Sequence, residues 1–255
     1  RGQIIGFGGR TLGDAQAKYL NTPQTLLFDK SQVLYGIDLA RDAIRRSDAA
    51  IVVEGYVDVL RGHQHGFRNL VAPLGTALNT GHVGQLQKLT NNIYLALDAD
   101  AAGQKATLRS VRLIEQAPQP DGEQQAVITP QGAVRWSTSI TLRIITMPPG
   151  QDPDDVIRTD PQRWTALVQA AVPVMDFYIA AYTADLSLDQ PQDQRVALER
   201  LLPLLAQLDK TQQLIYARHL EERTQLPVEH ILNAIQGYSP PPPAPKKHLS
   251  VKEEA

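Results

Sequence analysis

The 255-residue chain contains no cysteine. That excludes disulfides, thiolate zinc sites and thiol nucleophiles within it, and it agrees with a cytoplasmic setting. No apolar run approaches the roughly 20 residues that a membrane-spanning helix needs, so no membrane partner is expected. There is no secretory signal, and the chain opens on Arg1 rather than Met, which reads as a piece cut from a longer polypeptide. Strong net charge is also missing. The formal value is −2, so no global basic field draws in nucleic acid. No HExxH zinc motif is present and no Ser-His-Asp grouping stands out. What remains is an ordinary globular composition, 42% hydrophobic and 20% charged, with length for one large or two modest domains.

Charge is uneven along the chain. Residues 1–46 carry seven Lys/Arg against four Asp/Glu, so any nucleic-acid contact is expected to be local to one face. This stretch opens with RGQIIGFGGRTL. Its Gly6, Gly8 and Gly9 suit either a backbone approach to phosphate or a plain strand-to-turn junction. Leu34, Ile37, Leu39 and Ile44 follow at near-helical spacing up to Arg46, which predicts a helix.

Two short runs organise the rest. Ile51, Val52 and Val53 end abruptly in Glu54-Gly55, and Ile93 to Leu97 end in Asp98-Ala99-Asp100. Short continuous aliphatic runs bounded by turn residues predict strands buried on both faces. Carboxylates just past the C-terminal ends of such strands stand at the mouth of an open α/β sheet, where ligands bind. Asp98 and Asp100 are two apart, so on extended backbone they leave on the same side. Three converging carboxylates suit a hard cation such as Mg²⁺. Taken singly, each has a plainer role: Asp100 as an N-cap for a helix from Ala101, Glu54 as a strand-end residue facing water. A third apolar run, Thr141–Met147, ends in PPGQDPDDVI, again placing acids at Asp152, Asp154 and Asp155. Alone this reads as an acidic turn capping a helix at Val156; as a third acidic strand end it reads as metal-binding. His63 and His65 lack further ligands nearby and are assigned surface or packing roles.

VVEGYVDVL followed by LALDADAAGQKA resembles the TOPRIM domain of bacterial DnaG-type DNA primases. TOPRIM also occurs in topoisomerases and some nucleases. FGGRTL, KYLNTPQT and LFDKSQVLYGIDLAR, ahead of it, resemble successive primase motifs in the family's order. The resemblance implies an α/β fold, a TOPRIM-type mostly parallel sheet flanked by helices and followed by a small all-α helical subdomain. It implies RNA primer synthesis on single-stranded DNA by metal-dependent nucleotidyl transfer. Matched position by position, it implies Mg²⁺ or Mn²⁺ held by Glu54, Asp98, Asp100, Asp152 and Asp154, with Glu54 as ligand or general base. It implies nucleotide or DNA contacts from Arg10, Lys18, Asn21 and Lys30. The family's DGDRAG reads Asp98-Ala-Asp-Ala-Ala-Gly here: both aspartates stay, and Ala101 removes a basic side chain. The rival readings are a TOPRIM nuclease or topoisomerase-like enzyme, and a non-catalytic nucleic-acid-binding replication module. All five motif carboxylates are present, which argues against an idle fold.

The expected organisation is residues 1–46 as the end of a basic N-terminal core subdomain and 47–157 as TOPRIM. Within the latter, 116–139 is an inserted β-hairpin formed by AVIT and AVRW. A helical bundle over 158–236 follows. QRVALERLLPLLAQLDKTQQLIYARHLEERTQLPVEHIL there resembles the helical end of the primase core. Residues 237–255 form a proline-rich, disordered linker. The resemblance further implies ribonucleoside triphosphates and single-stranded DNA as partners, and a replicative helicase bound through a C-terminal domain beyond this chain. Zn²⁺ would belong only to a zinc ribbon absent from it. A cytoplasmic monomer at the replisome is expected.

Overall fold

A computed structural model describes residues 3–11, 19–74, 78–97, 125–128, 134–137 and 140–239. The chain divides into two compact units, Arg1–Phe177 and Tyr178–Ala255.

The first unit is built on a six-stranded sheet. Its centre is four parallel strands: β4 (Ala50–Val53), β5 (Leu70–Pro73), β6 (Asn92–Leu97) and β9 (Thr141–Thr146). Every residue of β4 and β5 is buried, as continuous apolar runs covered on both faces require. The edges are short and antiparallel. β3 (Leu34–Tyr35) pairs with β5, and β10 (Val172–Pro173) pairs with β9, giving the order β10-β9-β6-β4-β5-β3. Pro173 sits where a missing ladder donor costs least, on an edge.

The helix expected across Leu34 to Arg46 starts later. Leu34 and Tyr35 belong to β3, and α1 (Ile37–Ser47) begins after Gly36, whose φ of 79° breaks the run. The left-handed backbone there separates edge strand from helix, and the sheet outcompetes a helical period for Leu34. α2 (Tyr56–Gln64) joins β4 to β5, and α3 (Thr80–Gln87) precedes β6. After β9 come α4 (Pro153–Thr159) and α5 (Pro161–Gln169), each started by an aspartate N-cap with proline in the first turn. Ile51, Val53, Val59, Leu70, Ile145, Met147, Val156 and Trp164 share one buried cluster. Trp164 meets the Phe67 ring edge-on at 6.3 Å. Two small pairs complete the unit. β1 (Gly8–Arg10) lies antiparallel to β2 (Tyr19–Asn21), so Gly8 and Gly9 are strand residues rather than a phosphate-cradling turn. β7 (Gln125–Ile128) lies antiparallel to β8 (Val134–Ser137), as the two runs of the expected hairpin predict.

The division between units falls inside α6 (Val174–Thr183). The second unit continues with α7 (Pro191–Leu205), α8 (Lys210–Thr224) and α9 (Val228–Gly237). Leu201, Leu205, Ala217, Leu220, Ile231 and Ile235 are buried among them. Asp209 caps α8, accepting from the Thr211 and Gln212 amides at 2.8 and 2.9 Å. Arg200 forks onto both carboxylate oxygens of Asp185, at 2.6 and 3.0 Å, and holds that carboxyl below its usual range. Among the described residues no helix is long and apolar enough to cross a membrane. The helix expected from Ala101 and nearly all of the proline-rich tail lie outside the described residues.

Candidate active site

Three neighbouring parallel strands run into acidic sequence. In register, Val53 of β4 faces Ala96 of β6, and Leu97 of β6 faces Thr146 of β9. Glu54 follows β4 directly and is exposed. Asp98 and Asp100 follow β6 but lie outside the described residues. The PPGQD turn follows β9 and delivers Asp152 and Asp154 to the start of α4.

Asp152 is the N-cap of α4. Its Oδ1 accepts the Asp155 amide at 2.8 Å, the plainer role that the turn allowed. Asp154, two residues on, faces α2. Its Oδ1 accepts from Arg61 Nε at 2.6 Å, and its own amide donates to Asp58 Oδ1 at 3.1 Å. The other oxygen of Asp58 accepts the Gly55 amide at 3.0 Å, the third helical residue reaching back to the N-cap of α2, which as glycine has no side chain to reciprocate. One buried carboxylate thus ties the residue after Glu54 to the second acid of the DPD turn. Asp58 and Arg61 are three apart on α2 and so present to α4 from one face. Asp155 pairs with Arg158 at 2.8 Å, which raises the guanidinium's pKa.

The β1–β2 pair reaches this region through Tyr56. A Cβ at Gly8 would stand 3.1 Å from Asn21 Oδ1 and 3.4 Å from Tyr56 Cε1, so glycine permits that close approach. Tyr56 packs on Tyr35 with ring centroids 5.5 Å apart. Burial, then Tyr35, push the Tyr56 hydroxyl pKa up, while the Arg10 charge pulls it down. Arg10 is exposed on β1, and Asn21 lies opposite Gly8 on β2. Asn21 Oδ1 is buried and accepts no hydrogen bond among the described residues. Lys18 lies outside the described residues. Lys30 is exposed on the Asp29–Gln32 turn, where the Gln32 amide donates to Asp29 O at 2.9 Å. Ser31, through hydroxyl and amide, holds the Asp29 carboxyl below its usual range. That turn docks on α3: Asn79 Nδ2 donates to Ser31 O at 2.6 Å. His63 Nε2 and His65 Nδ1 each bond a backbone carbonyl at 3.0 Å, His63 half-buried and His65 exposed, within the surface or packing roles expected of them.

By donor type the acids suit Mg²⁺, which takes hard oxygen ligands. By arrangement the described ones do not suffice. Asp152 spends one oxygen on its cap and Asp154 spends one on Arg61. Among the described residues no group of three or more His, Cys, Asp or Glu is placed to hold an ion. Asp98 and Asp100 lie outside the residues so compared. Asp58, Arg61 and Tyr56 join the site only in the folded structure. Gly55-x-x-Asp58 carries a legible signal, an acid at the third helical position able to reach back to the N-cap amide. Arg61 has no local signal, because its partner is 93 residues away.

Three family models match the chain: the DNA primase catalytic core, N-terminal domain, over residues 1–41; the Toprim domain over 48–121; and the DnaB-helicase binding domain of primase over 175–229. The third match falls on the helical segment itself, which corrects the expectation of a helicase-binding domain wholly beyond residue 255. A DNA primase from Clostridium acetobutylicum is 31% identical over 92% of this chain, which spans 36% of that relative's length. A crystal structure of a DNA primase domain from Pseudomonas aeruginosa matches with TM-score 0.69 at 32% identity, covering 91% of this chain and 68% of that one. A DnaG primase catalytic domain bound to ssDNA matches with TM-score 0.66 at 30% identity, covering 86% and 66%. At 32% identity, covering 68% of that Pseudomonas aeruginosa primase domain, and with primase core and Toprim matches in sequence, the chain belongs to the DnaG-type DNA primase family.

Proposed function

We propose that this chain is the TOPRIM-bearing and helical part of a DNA primase, synthesising short RNA primers on single-stranded DNA by nucleotidyl transfer. The observation that carries the reading is the strand order. β4, β6 and β9 are adjacent and parallel, and each continues into the acids Glu54, Asp98 with Asp100, and Asp152 with Asp154. Adjacent parallel strands deliver the residues after their C-terminal ends to one edge of the sheet, the ligand-binding edge of open α/β folds.

A divalent cation, Mg²⁺ or Mn²⁺, lowers the pKa of an attacking 3′-hydroxyl and neutralises charge on departing pyrophosphate. Asp98, Asp100, Asp152 and Asp154 would hold it. Glu54, exposed at the end of β4, serves as ligand or as the base that takes the hydroxyl proton. Arg10 and Lys30, both exposed, and Lys18 grip phosphates of template or ribonucleoside triphosphate. Asn21 offers an amide to the nucleotide. Asp58 keeps the Gly55 and Asp154 backbones in fixed relation, which preorganises the acidic edge. The ssDNA-bound relative supports a single-stranded template, and the match over 175–229 supports helicase contact through the helical unit. With no cysteine, the chain offers no thiolate ligand for zinc. A monomer acting at a cytoplasmic replisome completes the reading.

The test pairs Mn²⁺ calorimetry with a primer-synthesis assay on a single-stranded template. Asp98→Asn with Asp100→Asn abolishes both signals and leaves the thermal midpoint nearly unchanged. Undiminished synthesis by that double variant removes the reading.

A further inference from the structure

Arg61 carries a charge beside the acidic edge that the reaction above does not use. Its Nε lies 2.6 Å from Asp154 Oδ1, and the pair is partly buried, with side-chain exposures of 31% and 18%. Screening by water is therefore incomplete. Holding α4 in place does not require this contact, because the Asp154 amide is already anchored on Asp58 Oδ1 at 3.1 Å and the Asp152 cap fixes the same turn. What Arg61 adds is a positive charge on the second acid of the DPD turn. It occupies one carboxylate oxygen of that acid, Oδ1.

We propose that Arg61 is a resident counterion that competes with the divalent metal for Asp154 and so weakens metal binding at the acidic edge. This rests on the metal site proposed above. Without metal, Arg61 neutralises Asp154 and limits repulsion within the Asp152–Asp155 run. A cation that engages Asp154 must share that carboxylate with the guanidinium or push it aside. The α2 side chain thereby sets the metal concentration at which the site fills.

The experiment is Mn²⁺ titration of the whole chain by calorimetry and by loss of the free-ion EPR signal, comparing the parent with Arg61→Gln, Arg61→Lys and the Asp98→Asn/Asp100→Asn pair. Arg61→Gln should bind Mn²⁺ at least about threefold more tightly at low salt, with the gap narrowing at high salt as charge effects are screened. Arg61→Lys, which keeps the charge, should stay near the parent. A purely structural contact predicts none of this salt dependence and no rescue by lysine. Equal or weaker binding by Arg61→Gln, with binding still abolished in the aspartate pair, overturns the counterion and leaves the metal site standing. No binding by either the parent or Arg61→Gln overturns both. Circular dichroism of each variant confirms that the comparison is between folded proteins.

Discussion

Asp58 accepts the backbone amide of Asp154 at 3.1 Å across 96 residues of sequence, while its second oxygen caps its own helix at Gly55. The residue is 7% exposed, so both amides would lose their acceptor in a place that water reaches poorly. Asp58→Ala should cost about 1–3 kcal/mol. For a unit of this size that lowers the thermal midpoint by several degrees, at about 2–4 °C per kcal/mol. Asp58→Asn, which keeps one carbonyl oxygen, should fall between parent and alanine variant. Thermal unfolding followed by circular dichroism decides this, and an unshifted midpoint in Asp58→Ala would show that the bridge is incidental.

Gly36 offers a test of the β3–α1 junction. Its φ is 79°, and a Cβ there would stand 2.8 Å from Val59 Cγ1 in α2. Alanine meets two penalties: left-handed backbone, about 1–2 kcal/mol, and a clash inside a packed core. Gly36→Ala should lower stability in urea by about 2–3 kcal/mol with no change in slope. A variant as stable as the parent would mean that the junction relaxes freely.

His82 predicts an acid-sensitive core. It is fully buried in α3, and its Nδ1 accepts the Asn79 amide at 3.3 Å, so the neutral ring carries its proton on Nε2. That nitrogen has no partner among the described residues. Burial lowers the pKa below the ordinary value of 6.5. The unfolded chain then binds more protons than the folded one as pH falls through about 6.5, so stability is full above that pH and declines below it. His82→Asn keeps an acceptor for Asn79 and removes the titration. Its midpoint should change less than the parent's between about pH 7 and about pH 5.5, the window around the unfolded histidine's pKa. Parallel curves for the two proteins would rule His82 out as the cause.

Much of the sheet was legible from local pattern. A strand buried on both faces has no polar side to alternate with, so β4 and β5 are unbroken apolar runs and β6 is nearly one, whereas β9 is apolar at Leu142, Ile144 and Ile145 but carries Arg143 and exposes both end threonines. The acids that end three of them were legible for the same reason, since carboxylates cannot continue into a buried strand. The two-residue edges β3 and β10 were not. Neither is long enough to show a period, and Leu34 fits a helical spacing as well as a strand.

The sequence by itself determined the central strands, their order and the chemical type of the candidate site: oxygen donors after parallel strands, with cations ahead of them. Tertiary structure alone decided that Asp58 joins the turns after β4 and β9, that Arg61 rather than solvent meets Asp154, and that Tyr56 packs beside Gly8. The physical reason is range. Periodicity and capping act over a few residues, whereas these contacts join side chains that only the folded sheet brings within hydrogen-bond or van der Waals reach.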